Sequence, residues 1–223
     1  MKTKSDKSAS DYAYKAIKEM MAQYILVPGQ KIAYDQLAEK LNLSKTPIIN
    51  ALNRLERENF VTAIQNRGFF IKDISLKEYD ELYRIREALE LLAIEESINY
   101  GSQENLRKAE EAMIAHKNFN DESLSRKRYS LDAIFHLKIA EMSGNSNLIR
   151  LLKHVLEQIY LRQKIERVSP NRLQKTPKEH QEIFEAIKEK NVEKAKKKMS
   201  IHIENAKKAA LEAIQKNADS YEF

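Results

Sequence analysis

From Leu76 to Gln215 the chain carries apolar residues at helical spacing, interrupted only at Gly101, Gly144, Pro170 and Asn191. Glycine and proline are the strongest local breakers, so a long stretch this poor in both leaves no room for a loop-rich β fold. The whole chain has only four of each in 223 residues. The pattern predicts six helices, over Leu76–Tyr100, 103–119, 122–142, 146–168, 177–190 and 192–215, with short connections between them. Helices joined in that way form a bundle. On the first of them, Leu82, Ile85, Leu89, Leu92 and Ile98 make the stripe expected to face the core. The fold class is therefore mainly α, with the bundle occupying residues 76–216 and a short tail at 217–223.

The first third reads differently. Residues 1–10 are polar and carry no core residues, as expected of a disordered arm. From Asp11 onward, Tyr14, Ile17, Met20, Met21 and Tyr24 recur at helical spacing until Val27-Pro28-Gly29-Gln30. A second short helix fits AYDQLAEKLN, with Leu37, Ala38 and Leu41 inward, and Asn42-Leu43 breaks it. Ser44 is placed to cap a third helix, KTPIINALNRLERE, in whose first turn Pro47 is tolerated. Two β-rich runs, FVTAI and GFFIK, flank Gln65-Asn66-Arg67-Gly68, a hairpin signal in which Gly68 can take a positive φ. Helix, helix, turn, helix, hairpin is the order of a winged helix-turn-helix, here over 11–72, with 73–75 as a short linker to the bundle. Charge agrees. Residues 1–72 hold 12 Lys and Arg against 7 Asp and Glu, so most of the chain's net charge of +6 lies there. A basic small module suits a polyanion such as double-stranded DNA.

Within the bundle four residues stand out. Asp132 and His136 lie at i, i+4 in SLDAIFHLKIAEMSG and share one face of a helix. His180 opens EHQEIFEAIKEK, and His202 lies in EKAKKKMSIHIENAKKAA. Three imidazoles and a carboxylate converging in a bundle suit a divalent transition metal, with Zn the first choice and Ni, Fe or Mn as alternatives. Such a set leaves coordination positions open for a carboxylate-bearing metabolite. The other two of the five histidines, His116 and His154, fit no motif and read as structural. The chain has no cysteine, which excludes disulfides and thiolate metal sites.

These segments carry a resemblance. Ser44-Lys45-Thr46-Pro47-Ile48-Ile49-Asn50-Ala51-Leu52, followed by Arg54-Leu55-Glu56, resembles the recognition-helix region of the GntR family of bacterial transcription regulators. PGQKIAYDQLAEKLNLS before it and ENFVTAIQNRGFFI after it fit as well. YRIREALE, DAIFHLKIAEMSGN, EHQEIFEAIKEKN and the closing MSIHI resemble the metal-holding ligand domain, of the FCD type, in the FadR-like branch of that family. The likeness spans most of the chain. It implies a homodimeric regulator, a repressor in most relatives, that binds an operator through the first domain and a small organic acid at the metal in the second.

The resemblance also assigns roles. Asp132, His136, His180 and His202 would hold the metal. Arg86 would clamp the effector carboxylate, with Arg84 and Asn145 as further candidates; alternatively Arg86 pairs with Glu90 at i, i+4, and Asn145 serves the start of a helix. Ser44, Lys45, Thr46, Asn50 and Arg54 would face DNA, with Arg67 and Gly68 at the hairpin tip. Where the family commonly has Arg and Glu, this chain has Ile49 and Asn50. Isoleucine donates no hydrogen bond but can touch a thymine methyl, and asparagine can bond an adenine, so an A·T-richer operator is expected.

Three rivals remain at this point. One is a DNA-binding regulator whose metal is purely structural. Another is a metal-dependent hydrolase, disfavoured because no base, nucleophile elbow or phosphate loop accompanies the cluster. The last is a relative that senses a fatty acyl group without metal. No run is long and apolar enough for a membrane span, and MKTKSDKSAS has no apolar segment behind it, so a cytoplasmic protein is expected.

Overall fold

Hydrophobic burial divides the chain into two units. In a computed structural model that describes residues 4–119, 126–164 and 170–219, they cover Met1–Ile74 with Tyr160–Lys164, and Ser75–Ile159 with Ile165–Phe223.

The first unit runs α1 (Lys4–Ala22), α2 (Tyr34–Leu41), α3 (Lys45–Arg57), β1 (Val61–Ile64) and β2 (Gly68–Ile71). Helix α1 begins at Lys4, so residues 4–10, expected to form an arm, extend the first helix instead. Residues 8–11 are already exposed or only half-buried there, which is why their polarity was no obstacle to helix. Asn42 closes α2 in the left-handed region, φ 50°, and its N–H bonds back to the Ala38 and Glu39 carbonyls, which makes the tight turn into α3. The core gathers Ile17 and Met21 of α1, Leu37 of α2, Ile48, Leu52 and Leu55 of α3, and Phe60, Val61 and Ile71 around the hairpin. β1 and β2 pair antiparallel, Val61 opposite Ile71 and Ile64 opposite Gly68. Gly68 turns the hairpin at φ +94°. A bridge from Lys31 to Phe70 adds a short third edge to this wing.

The end of α7 (Ser146–Arg162) belongs to this first unit rather than to the bundle alone. Leu161 packs on its core. The fully buried Arg162 donates from Nη2 to the Asp73 carbonyl at 3.0 Å, and Lys164 pairs with the Asp73 carboxylate at 3.1 Å. The linker is thus anchored by a guanidinium from a distant helix, which no local pattern announces.

The second unit holds α4 (Leu76–Tyr100), α5 (Gln103–Lys117), α6 (Arg126–Met142), most of α7, α8 (Pro170–Lys188) and α9 (Val192–Asp219), six helices among the described residues. Ser75 and Ser102 start α4 and α5, each hydroxyl accepting the N–H three residues on at 3.2 Å. Helix α8 starts seven residues ahead of the expected 177; Pro170 opens it and Pro177 lies inside it. A proline is at home in the first turn, where its missing N–H has no partner to lose. The expected extensions of α6 to 122 and of α7 to 168 run into residues outside the described ones.

One expectation is reversed. In α4 the buried residues are Tyr79, Tyr83, Arg86, Glu90, Ala93, Ile94 and Ser97. Of the apolar stripe predicted to be inward, Ile85 is 50% and Leu92 42% exposed, while Leu82, Leu89 and Ile98 are only half-buried. The buried side of α4 is polar because it faces α6 and α9, the helices that bring in the histidines.

Candidate functional site

Three helices supply the cluster. Asp132 and His136 come from α6, His180 from α8 and His202 from α9. Their four ligand atoms all lie within 4.8 Å of one another. His136 Nε2 and His202 Nε2 are 3.2 Å apart, and His180 Nε2 is 3.2 Å from Asp132 Oδ1. Metal bonds of about 2.0–2.2 Å place neighbouring ligand atoms about 3–3.5 Å apart, so the spacing is that of a coordination shell.

The protonation states follow from the surroundings. Burial alone would raise the Glu90 carboxyl, but His136 and Arg86 overcome it and hold Glu90 at about 2. An ionised carboxylate only accepts, so the His136 proton sits on Nδ1, in contact with Glu90, and Nε2 keeps its lone pair. His202 repeats the arrangement. Its Nδ1 is 2.8 Å from Glu179 Oε2, which leaves Nε2 unprotonated. Burial pushes His202 down to about 4 despite Glu179, and pushes His180 well below the ordinary histidine range. Burial also works against Asp132, yet its histidine neighbours hold the carboxyl well below its usual value. Two imidazoles held below their ordinary range beside an ionised carboxylate suit the ligand state a cation needs.

Two lone pairs facing each other at 3.2 Å repel unless something positive lies near them. One such charge is present: Arg86 Nη2 is 2.8 Å from His136 Nε2 while its Nε bonds Glu90 at 2.6 Å. His180 is in a different position. Both its ring nitrogens are buried, and neither makes a well-aligned hydrogen bond; Nε2 has the Asp132 carboxylate 3.2 Å away. A buried nitrogen without a partner carries a desolvation cost that a metal bond would remove. The residues present therefore fit a divalent metal. Of the two readings of Arg86, the pair with Glu90 is present, and its Nη2 also reaches His136 in the cluster.

Other expected residues fall elsewhere. Arg84 is exposed, about 200° round α4 from Arg86, and takes no part in the cluster. Asn145 holds the start of α7: its Oδ1 accepts the Leu148 N–H at 3.1 Å and its amide bonds Glu96. His116, read as structural, is buried against His180 with ring centres 4.8 Å apart, and His154 is exposed. Sequence reasoning missed Glu179 and Arg172. The latter pairs with Glu179 at 2.6 Å and donates to the His202 carbonyl at 3.2 Å. Only their helical spacing in α8, seven apart, linked them, and nothing tied either to His202.

In the first unit, Ser44, Lys45 and Thr46 are exposed at the start of α3, and Ile49 and Asn50 are half-buried one turn on. Ser44 holds the N-cap position in extended geometry, but its hydroxyl caps no amide. Lys45 pairs with Asp35 at 2.8 Å, an exposed contact. Arg54 departs from expectation. It is drawn onto α1, bonded to Glu58 at 3.0 Å and Asp11 at 3.2 Å, with its guanidinium 3.7 Å from the Tyr14 ring centre. Exposed Asn53, four residues after Ile49, continues the outward row in its place. Arg67 is exposed at the hairpin tip beside Gly68, within cation–π distance of Phe70.

Residues 9–71 match the bacterial regulatory proteins of the gntR family, and residues 81–205 match the FCD domain. The chain belongs to the GntR family, in its FCD-containing branch. The uncharacterized HTH-type transcriptional regulator YdhC of Bacillus subtilis strain 168 is 32% identical over 194 residues, 85% of each chain. The fold is similar to that of a GntR regulator from Rhodococcus sp. RHA1, TM-score 0.77 at 18% identity over 92% of this chain and 99% of that one. Escherichia coli McbR/YncC gives 0.74 at 20% identity, covering 94% and 98%. This GntR-family chain is a DNA-binding transcription regulator and not an enzyme. FCD domains often bind metal, which agrees with the His and Asp cluster. No described helix is long and apolar enough to cross a membrane.

Proposed function

We propose that this regulator is a cytoplasmic repressor, a homodimer whose operator affinity is switched by a small organic acid held at a divalent transition metal, Zn first, on Asp132, His136, His180 and His202. The observation that carries the reading is the convergence of two outward-bonded imidazoles, a third beside Asp132 and that carboxylate within 4.8 Å. Charge supports the ligand class. Leaving the histidines aside, carboxylates Asp132, Glu90 and Glu179 stand against guanidiniums Arg86 and Arg172, with one net negative charge. A divalent ion turns that into one net positive charge, which a monocarboxylate neutralises. Metal and Arg86 compete for the lone pair of His136 Nε2, so an occupied site leaves an Arg86 N–H for the acid.

On α4, exposed Ile85 and Leu92 with half-buried Leu82 and Leu89, at alternating spacings of three and four, support self-association through that face. Two copies would present two α3 helices to half-sites about one helical turn apart. Lys45, Thr46, Ile49, Asn50 and Asn53 would enter the major groove, Ser44 would meet a phosphate, and Arg67 with Gly68 would approach the backbone beside it.

The test is metal content of purified wild type beside His136→Ala, followed by thermal shift with a panel of organic acids and operator titration with the acids that shift it. About one transition metal per chain, lost in the variant, with one class of acid raising Tm and weakening DNA binding, is the expected result. Metal with indifference to every acid would leave a structural ion and remove the effector.

A further inference from the structure

Resting on the metal reading above, we infer that Glu179 and Glu90 are positioning residues for the metal site, each fixing the proton of one ligand histidine on Nδ1 so that Nε2 faces the ion. The geometry is the same on both sides of the cluster although it is built from different helices. Glu90 of α4 contacts His136 Nδ1, and Glu179 of α8 contacts His202 Nδ1 at 2.8 Å. Neither carboxylate is one of the converging ligand atoms. Each is itself held: Glu90 by Arg86 at 2.6 Å, Glu179 by Asn205 at 2.9 Å and by Arg172 at 2.6 Å.

The His202 tautomer needs one further step. Arg172 Nη2 also lies 3.0 Å from His202 Nδ1, and a donor there would require the opposite tautomer. The same Nη2 has the His202 carbonyl within 3.2 Å, an acceptor whichever tautomer is present. Glu179 has no alternative but to accept, and it is the nearer of the two. The proton therefore stays on Nδ1. A carboxylate on the far nitrogen orients the ring and raises the basicity of the nitrogen that binds. His180 has no such partner: its Nδ1 is buried without a hydrogen bond, and a metal bond alone would hold its ring.

Glu179 gives the cleaner test, because it is partly exposed and Glu90 is wholly buried with Arg86. Full-length wild type, His136→Ala, Glu179→Gln and Asn205→Ala are stripped of metal, and Zn affinity is measured by competition with a chromophoric chelator. Melting of the metal-free proteins is recorded in parallel. Glu179→Gln is expected to lower Zn affinity about 10–100-fold with little change in metal-free Tm. Asn205→Ala, which leaves the carboxylate but removes one of its supports, shifts affinity in the same direction by less, and carries the test where Glu179→Gln does not fold. Unchanged Zn affinity in both variants, with His136→Ala losing the metal, overturns the positioning role alone. A wild type that takes up no Zn overturns both this role and the metal reading.

Discussion

The recognition helix and the histidine cluster are opposite ways of building a binding surface. On α3 the candidate residues lie within one turn or two of each other, exposed or half-buried, on a single helix. In the cluster they come from α6, α8 and α9, with support from α4, and are buried with their charges compensated by one another. The difference teaches what substitution does in each. Changing an exposed reader alters binding and leaves folding alone, whereas changing a member of the buried set alters both, because a charge left alone in the interior has no water to turn to.

The sharpest break in that comparison would come from Glu90→Ala. It strands Arg86 beside the histidines, and removal of one partner from a buried pair costs about 3–5 kcal/mol. Chemical denaturation of the full-length protein measures it. Replacing both, as Arg86→Met with Glu90→Leu, should recover much of that loss while abolishing the metal-linked acid response. A Glu90→Ala loss no larger than that of a surface change would mean the buried set is not energetically coupled.

Acid should weaken the cluster next. Burial holds His202 at about 4 and His180 well below the ordinary range, so folding disfavours their protonated forms. Stability is then complete above pH about 6.5 and is lost as pH falls towards 4, by roughly 3 kcal/mol for His202 alone. Tm of the metal-free protein against pH checks the sign, and a Tm that rises on acidification would overturn it. The recognition helix has no such buried histidine, so operator contacts should not share this dependence.

On the DNA side, Asn50→Ala should cost about 1–3 kcal/mol of operator binding through one base position. Lys45→Ala should weaken all sequences alike and lower the salt slope by about 1. Selection from random duplexes, followed by salt titration, distinguishes them; enrichment of G-anchored half-sites would count against the A·T-rich operator expected from Ile49 and Asn50. The smallest effect is Arg54→Ala. Its stack on Tyr14 points to a loss of about 0.5–1 kcal/mol in stability with an unchanged salt slope. A drop in the salt slope would return Arg54 to the DNA surface.

The sequence by itself determined the order of elements, the hairpin and its Gly68, the six helices of the bundle and the grouping of Asp132, His136, His180 and His202. Those are local patterns, or patterns carried by motifs. It did not determine which face of α4 turns inward. Apolar spacing pointed to Ile85 and Leu92, yet Arg86 and Glu90 are the buried residues, because a helix facing a polar cluster buries whatever completes the charges there. Nor did it place Glu179 on His202, 23 residues away, or Arg162 on the Asp73 carbonyl, 89 residues away. Such pairings exist only once separate helices are packed. A donor's partner across the core is chosen by tertiary distance, and sequence spacing carries no record of it.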